Sequence, residues 1–236
     1  MILCDFDGTH GNTFKPSPNG IGVHEAYMYA VKKVFGNDGL QKYQDEGGLR
    51  NRAPGEVVGQ LLGKSSVEMT KALVGHKLEC FLDEIGKRGE DGEIWPSPFP
   101  GVLDFIYKLS EDNIDWVLLS SGHREFIEKT FSVWGLPIPI MFTDDEAIKF
   151  ANYPSKPNPI LLELACGMAG YDCVPDGTIY IGDDPVKDGG LAENAGVPFG
   201  WFNQDRKNGH DFTVPVVNFN DWRDVTPETF LNLIAV

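Results

Sequence analysis

Cysteine is scarce in this chain: four of 236 residues, Cys4, Cys80, Cys166 and Cys173, with no Cys-x-x-Cys pair and no histidine at metal-ligand spacing. That excludes a disulfide framework and a zinc site of familiar spacing, and leaves four reduced thiols expected to pack as small hydrophobes. Long apolar runs are missing too. Stretches such as 116–119 fall far short of the roughly 20 residues a membrane-spanning helix needs, and no basic flank leads into an apolar N-terminal stretch. A soluble, cytoplasmic chain with no membrane partner is expected. Positive charge is in deficit, with 20 Lys plus Arg against 35 Asp plus Glu, a formal net charge of −15. A surface of that sign repels nucleic-acid backbones, so no nucleic-acid partner is expected, and any phosphorylated substrate must be held locally by a metal or a few placed cations. No repeat or low-complexity tract is visible. What the chain does have is 42% apolar residues beside 23% charged ones, enough to bury a core as one large domain or as a core with a smaller companion. Composition leaves the oligomeric state open.

Periodicity and punctuation supply the organisation. Residues 1–4 form a short apolar run that breaks into Asp5-Phe6-Asp7-Gly8-Thr9, the pattern of a buried strand ending in a polar loop. The same pattern recurs at 116–119 before Ser120-Ser121-Gly122, at 138–142 before Thr143-Asp144-Asp145, and at 178–181 before Gly182-Asp183-Asp184. Helical patterns lie between them, over 102–109, 124–134, 159–169 and 189–195, the last stopped by Gly196. Alternating strand and helix predicts an α/β fold with a Rossmann-like parallel sheet and helices on both faces. Ligands of such sheets bind beyond the carboxyl ends of the strands, where every one of these polar clusters would converge. The stretch 15–98 differs: it carries amphipathic helical runs at 24–35, 54–62 and 66–85 and no convincing strand. It reads as a separate helical unit inserted into a core made of 1–14 and 99–236, with Pro- and Gly-containing segments at 14–22 and 95–101 as hinges. Helices that merely cover the sheet are the plainer alternative.

Asp5 and Asp7 stand two apart at a strand end, and Gly8 permits a sharp turn after them. Two carboxylates so placed can divide labour, one as nucleophile or metal ligand and the other as general acid or base. Alone the pair is weak evidence, because Asp- and Gly-rich surface turns are common. With its company it resembles the haloacid dehalogenase superfamily. Asp5-Phe6-Asp7-Gly8-Thr9 is similar to that family's first motif, D-x-D-G-T. Ser120 after an apolar strand is similar to the second, Lys156-Pro157 before a helix to the third, and Gly182-Asp183-Asp184 with Asp188 to the fourth. The resemblance covers the chain outside the helical insert and implies that insert to be a cap that closes over the core and shapes substrate choice.

The resemblance implies a phosphatase acting on a small phosphorylated metabolite. Asp5 would attack phosphorus to form an aspartyl-phosphate, and Asp7 would protonate the leaving oxygen and then activate water. Ser120 would hydrogen-bond a phosphoryl oxygen with Ser121 and Gly122 beside it at the substrate, and Lys156 would neutralise phosphate and nucleophile. Mg²⁺ would be held by Asp5, by Asp7 through its backbone carbonyl, and by Asp183; Asp184 and Asp188 would either ligate through water or hold Lys156. A phosphomutase of the same superfamily is the nearest alternative, and a non-catalytic phospho-accepting or binding domain a more distant one. A dehalogenase has no use for the acid at Asp7 or for Mg²⁺.

Each of these residues also has an ordinary reading. Lys156 could be a solvated loop cation, Ser120 and Ser121 a helix N-cap, and Asp188 a partner for the following helix dipole. Asp144-Asp145-Glu146 reads as a solvated helix start rather than a second acidic site. His10 departs from the family pattern; it is expected to be a partly exposed spectator, the alternative being a substrate contact that makes activity sensitive to pH. In the insert, Arg50 and Arg52 lie in a Gly-rich bend and are candidate clamps for an anionic group, against a solvated alternative. Lys32-Lys33 reads as a wet helix face.

Overall fold

The computed structural model describes residues 1–47, 54–150, 154–206 and 209–233. Arg50 and Arg52, the candidate substrate clamps, lie outside the described residues. The chain divides into two compact units: Met1–Asn12, Pro98–Ile127 and Trp134–Val236 form one, and Thr13–Ser97 with Glu128–Val133 the other.

The first unit is built on six strands: β1 (Ile2–Cys4), β2 (Trp116–Leu119), β3 (Met141–Phe142), β4 (Ile179–Gly182), β5 (Phe199–Phe202) and β6 (Val216–Phe219). All pairings are parallel, in the order β3-β2-β1-β4-β5-β6. Successive side chains of a strand face opposite ways, and here both faces are covered, which is why β1 and β4 read as continuous apolar runs rather than alternating ones. On one side Leu3, Val117, Leu119 and Tyr180 pack with Leu161, Leu162 and Ala165 of α7 (Ile160–Met168) and with Leu191 and Ala192 of α8 (Gly190–Ala195). The alternate residues Ile2, Cys4, Leu118, Ile179 and Ile181 are also fully buried. An aromatic cluster belongs to that second side: Phe105 of α4 (Val102–Glu111), Phe202, Phe219, Trp222 and Phe230 of α9 (Pro227–Leu231) meet ring to ring.

From β1 the chain adds β2 and β3 on one side, then β4, β5 and β6 on the other. The strand order therefore reverses between β1 and β4, and the crevice beyond their carboxyl ends is where an open parallel sheet takes its ligand. Asp5 follows β1, Ser120 follows β2 and Asp183 follows β4.

In the second unit α1 (Val23–Asp45), α2 (Pro54–Leu62) and α3 (Val67–Leu82) bury their own core of Tyr27, Ala30, Val31, Tyr43, Val57, Val58 and Leu73. Ser66 caps α3, accepting from the Met69 N–H at 3.3 Å. At the unit's start and end, the buried Glu84 carboxylate accepts from Ser17 Oγ at 2.7 Å, Asn19 Nδ2 at 3.1 Å and Lys87 Nζ at 2.7 Å. Lys32 and Lys33 are exposed, as a wet helix face should be.

Several sequence expectations need correction. The helical run expected at 24–35 extends to Asp45, interrupted at Gly36. The strand expected at 138–142 is only Met141–Phe142, because Pro137 and Pro139 remove ladder donors ahead of it. Strands β5 and β6 lie in a region assigned no strand by periodicity. Of the four free thiols only Cys4 and Cys166 are buried; Cys80 is intermediate and Cys173 exposed.

Candidate active site

The loop after β1 is fixed from both ends. The Asp5 N–H donates to the Ile181 carbonyl at 2.8 Å, and the Phe6 carbonyl accepts from the N–H groups of Thr9, His10 and Gly11 at 3.2, 3.0 and 3.0 Å. Such a tight turn needs a residue at positive φ, and Gly8 supplies it at 76°. Phe6 anchors the loop, its ring edge-on to Phe126 at 6.2 Å and beside Trp134 at 5.7 Å; Phe126 and Trp134 both belong to α5 (Arg124–Trp134). Asp7 is directed toward the end of β2, where Ser120 Oγ lies 3.5 Å from its Oδ2. Ser120 Oγ also accepts from the Gly122 N–H at 3.0 Å. A Cβ at Gly122 would sit 2.8 Å from Asp7 Oδ2, so the second loop must pass this carboxylate without a side chain.

Lys156 arrives from the segment before α7, its ammonium almost fully buried. Nζ donates to Asp5 Oδ1 at 2.7 Å and to Asp188 Oδ1 at 2.8 Å. Asp188 lies on the irregular helical turn Pro185–Gly189. Its Oδ1 lies 3.0 Å from the Tyr180 hydroxyl, and its Oδ2 accepts the Asp184 N–H at 3.1 Å. Room for this comes from Gly182, where a Cβ would fall 2.4 Å from Asp188 Cγ. Asp183 receives Thr9 Oγ1 at 3.2 Å on its Oδ1.

Burial dominates the electrostatics. It pushes the Asp5 carboxyl well above its ordinary range; Lys156 opposes the shift, and Asp188, Asp183 and Asp7 add to it. Burial, then the Asp188 charge, carries Asp183 up to about 7. Burial works against the Lys156 charge, but Asp188 and Asp5 outweigh it and the ammonium is held above the usual lysine value. Among the described residues Lys156 is the cation bonded to Asp5 and Asp188, with the Asp183 carboxylate beside them. Asp5, Asp183 and Asp188 each offer an oxygen within 4.8 Å of the others, an all-oxygen donor set that suits a hard divalent cation.

The remaining predicted site residues are placed as follows. Asp184 turns away from the three-carboxylate cluster and caps the irregular turn, Oδ1 accepting from the N–H groups of Val186 and Lys187 at 2.9 and 3.0 Å. Asp188 is the carboxylate that holds Lys156. Ser121 is exposed next to Ser120. Asp144–Ala147 forms the short helix α6, but its acids are not merely solvated. Asp145 Oδ2 accepts the Arg124 N–H at 2.6 Å and Glu146 Oε1 accepts Arg124 Nε at 3.0 Å, so they bind the start of α5. His10 is the clearest departure. It is fully buried, stacked on Trp222 at 5.1 Å and edge-on to Trp116 at 6.1 Å, and burial holds its ring down at a pKa of about 3. Its polarity suggested exposure, but the aromatic residues that enclose it come from distant parts of the chain.

Tyr180 and Thr9 were not singled out as site residues, although both contact the acidic cluster. Tyr180 carried one usable signal, a hydroxyl in an otherwise apolar strand two residues before Gly182. Thr9 stood in the first motif without a role.

The doubly covered parallel sheet carries a lysine-bridged carboxylate cluster at its switch point. Residues 1–196 match the family model of the haloacid dehalogenase-like hydrolases, and the chain belongs to that family. No curated protein matches the chain. Among solved structures it is similar to a haloacid dehalogenase hydrolase, family IA, variant 3, from Entamoeba histolytica, with 16% identity, TM-score 0.68, and coverage of 100% of this chain and 99% of that one. It is also similar to CbbY from Rhodobacter sphaeroides in complex with phosphate, with 17% identity, TM-score 0.64 and 98% of each chain covered. A haloacid dehalogenase phosphatase from Thermococcus onnurineus shares 15% identity at TM-score 0.59, with 94% of each chain covered.

Proposed function

We propose that this hydrolase is a Mg²⁺-dependent phosphatase that cleaves a small phosphomonoester through an aspartyl-phosphate on Asp5. The observation that carries the reading is the Lys156 ammonium, 2.7 Å from Asp5 and 2.8 Å from Asp188 beside the Asp183 carboxylate. Phosphoryl transfer spreads negative charge over the equatorial oxygens and needs a positioned nucleophile with cationic and donor groups around it. Asp5 bonds to phosphorus as the ester P–O bond breaks, and Asp7 gives its proton to the departing alkoxide. Asp7, now ionised, takes a proton from the water that attacks the phosphoaspartate, which releases phosphate and restores Asp5. Ser120 Oγ and the backbone at Ser121 and Gly122 donate to phosphoryl oxygens, and Lys156 keeps Asp5 aligned and its charge balanced. Asp5, Asp183, Asp188 and the Asp7 backbone carbonyl would hold the cation, which supplies positive charge where substrate phosphate meets this acidic cluster. The helical unit is assigned the role of cap, selecting among substrates.

A screen of small phosphomonoesters with Mg²⁺ present and then removed by chelator tests class and cofactor together. Phosphate release that stops with chelator and returns with Mg²⁺ is expected, and Asp5→Asn should leave less than a few per cent of kcat in a folded protein. Full turnover in metal-free protein, or wild-type kcat in Asp5→Asn, overturns the reading; isomerisation of a sugar phosphate without phosphate release would replace it with a phosphomutase.

A further inference from the structure

Two indoles contact the two loops that carry the acids. Trp222 Nε1 donates to the Thr9 carbonyl at 3.0 Å, a buried bond between residues 213 apart in sequence. Trp201 Nε1 donates to the Asp183 carbonyl at 3.2 Å. Thr9 and Asp183 are themselves joined, Thr9 Oγ1 donating to Asp183 Oδ1 at 3.2 Å. The result is one continuous chain of hydrogen bonds, Trp222 to Thr9 to Asp183 to Trp201, across the first and fourth motif loops.

Both donors are rigidly seated. Trp222 is 1% exposed and Trp201 3%. Trp222 packs on Phe105 at 4.8 Å and Phe219 at 5.0 Å, with His10 stacked on it at 5.1 Å. Trp201 meets Phe212 edge-on at 5.4 Å. Gly101 lets the Trp222 backbone approach, since a Cβ there would lie 2.8 Å from the Trp222 carbonyl carbon. An indole has one N–H and no acceptor, so each bond has one direction and cannot be exchanged for another. Both tryptophans also lie beyond residue 196, where the family match ends.

We infer that Trp222 and Trp201 are positioning residues for the hydrolytic reaction, a brace supplied by the C-terminal segment of the chain. Through Thr9 and Asp183 they hold the nucleophile loop and the fourth-motif acid in one fixed arrangement. The inference rests on the phosphatase reading only for its turnover measurement.

The test uses full-length Trp222→Phe and Trp201→Phe, which keep an aromatic ring and remove the N–H, with Trp95→Phe as control because its indole donates instead to the Lys15 carbonyl. Turnover of p-nitrophenyl phosphate with Mg²⁺ and amide hydrogen exchange over residues 5–11 and 183–188 are measured on each. Either brace variant should lower kcat about tenfold, the scale of one lost positioning bond, with KM changed less than about twofold. Exchange should quicken in both loops, including the one whose carbonyl kept its donor, and in neither loop for the control. Unchanged kcat, or quicker exchange confined to the loop that lost its donor, overturns the brace and leaves the tryptophans as packing. If wild type hydrolyses no phosphomonoester, the phosphatase reading fails and the exchange pattern alone decides the brace. Should the tryptophan variants not fold, Thr9→Val followed by indole N–H resonances serves instead. The brace requires both the Trp222 and Trp201 signals to shift; if neither moves, it is overturned.

Discussion

Lys156 sets the charge balance of the candidate site, since its ammonium is the single fixed cation in contact with Asp5 and Asp188 among the described residues. Removing it leaves two buried carboxylates uncompensated, a loss that costs about 3–5 kcal/mol in buried pairs. Lys156→Met should therefore lower the unfolding free energy by about that much in metal-free protein, as read by urea titration, and Mg²⁺ should restore part of it. An unchanged midpoint would mean the ammonium is dispensable to the fold. Gly182 offers a second test at this scale. Its absent Cβ makes room for Asp188, 2.4 Å from where the methyl would be, and displacement of a reacting group by an ångström costs about 10²-fold in rate. Gly182→Ala should lose activity on that scale while retaining its far-UV circular dichroism. Asp5 and Asp183 could be read in the sequence because each stands at the end of an apolar strand, and Lys156 because it precedes Pro157 and a helical run. His10 could not be, since its burial depends on Trp116 and Trp222, more than 100 residues away.

Among the elements, the loop after β1 and the aromatic cluster are joined at His10. Burial lowers its pKa from the ordinary 6.5 to about 3, so the folded protein keeps it neutral where an unfolded chain would protonate it. The sign follows: this contribution is fully present above pH 6.5 and is lost as pH falls from 6.5 toward 3. His10→Phe, which retains an aromatic ring against Trp222, removes that proton linkage. Relative to wild type, the variant should gain on the order of 2 kcal/mol in unfolding free energy between pH 7 and pH 5, measured by urea titration at both values. A constant difference across that range would show the ring to be titratable in the folded state. Element boundaries were legible where the apolar pattern was long or sharply punctuated: β2 at Trp116–Leu119 and α5 at Arg124–Trp134 follow their runs residue for residue. β5 and β6 escaped because each is four residues long, follows soon after a proline, and gains its stability from parallel neighbours that no local window contains.

Over the whole molecule the net charge of −15 opposes the approach of any anionic substrate. Salt screens the long-range repulsion, with a Debye length of about 30 Å at 0.01 M and about 8 Å at 0.15 M. For a dianionic phosphomonoester at saturating Mg²⁺, kcat/KM should rise about two- to threefold across that span of ionic strength, an effect of distributed charge on encounter. A fall would mean that attraction by the site outreaches the surface. No helix among the described residues is long and apolar enough to cross a membrane. The α/β architecture was legible because strand and helix patterns alternate; the strand order was not, since nothing local records that β1 lies between β2 and β4.

That central position has a consequence in time. β1 leaves the ribosome before either strand it pairs with, Trp116–Leu118 on one side and Ile179–Ile181 on the other. Every contact that makes it a strand is then still to be synthesised, and loops of this length close slowly. Ile2, Leu3 and Cys4 must wait unpaired through more than a hundred residues of elongation. Asp188, which helps hold Lys156 against Asp5, arrives later still. Fold and acidic centre therefore mature together and late, and a nascent chain halted before β4 would leave Ile2–Cys4 an apolar edge strand with β2 as its neighbour and no assembled acidic centre.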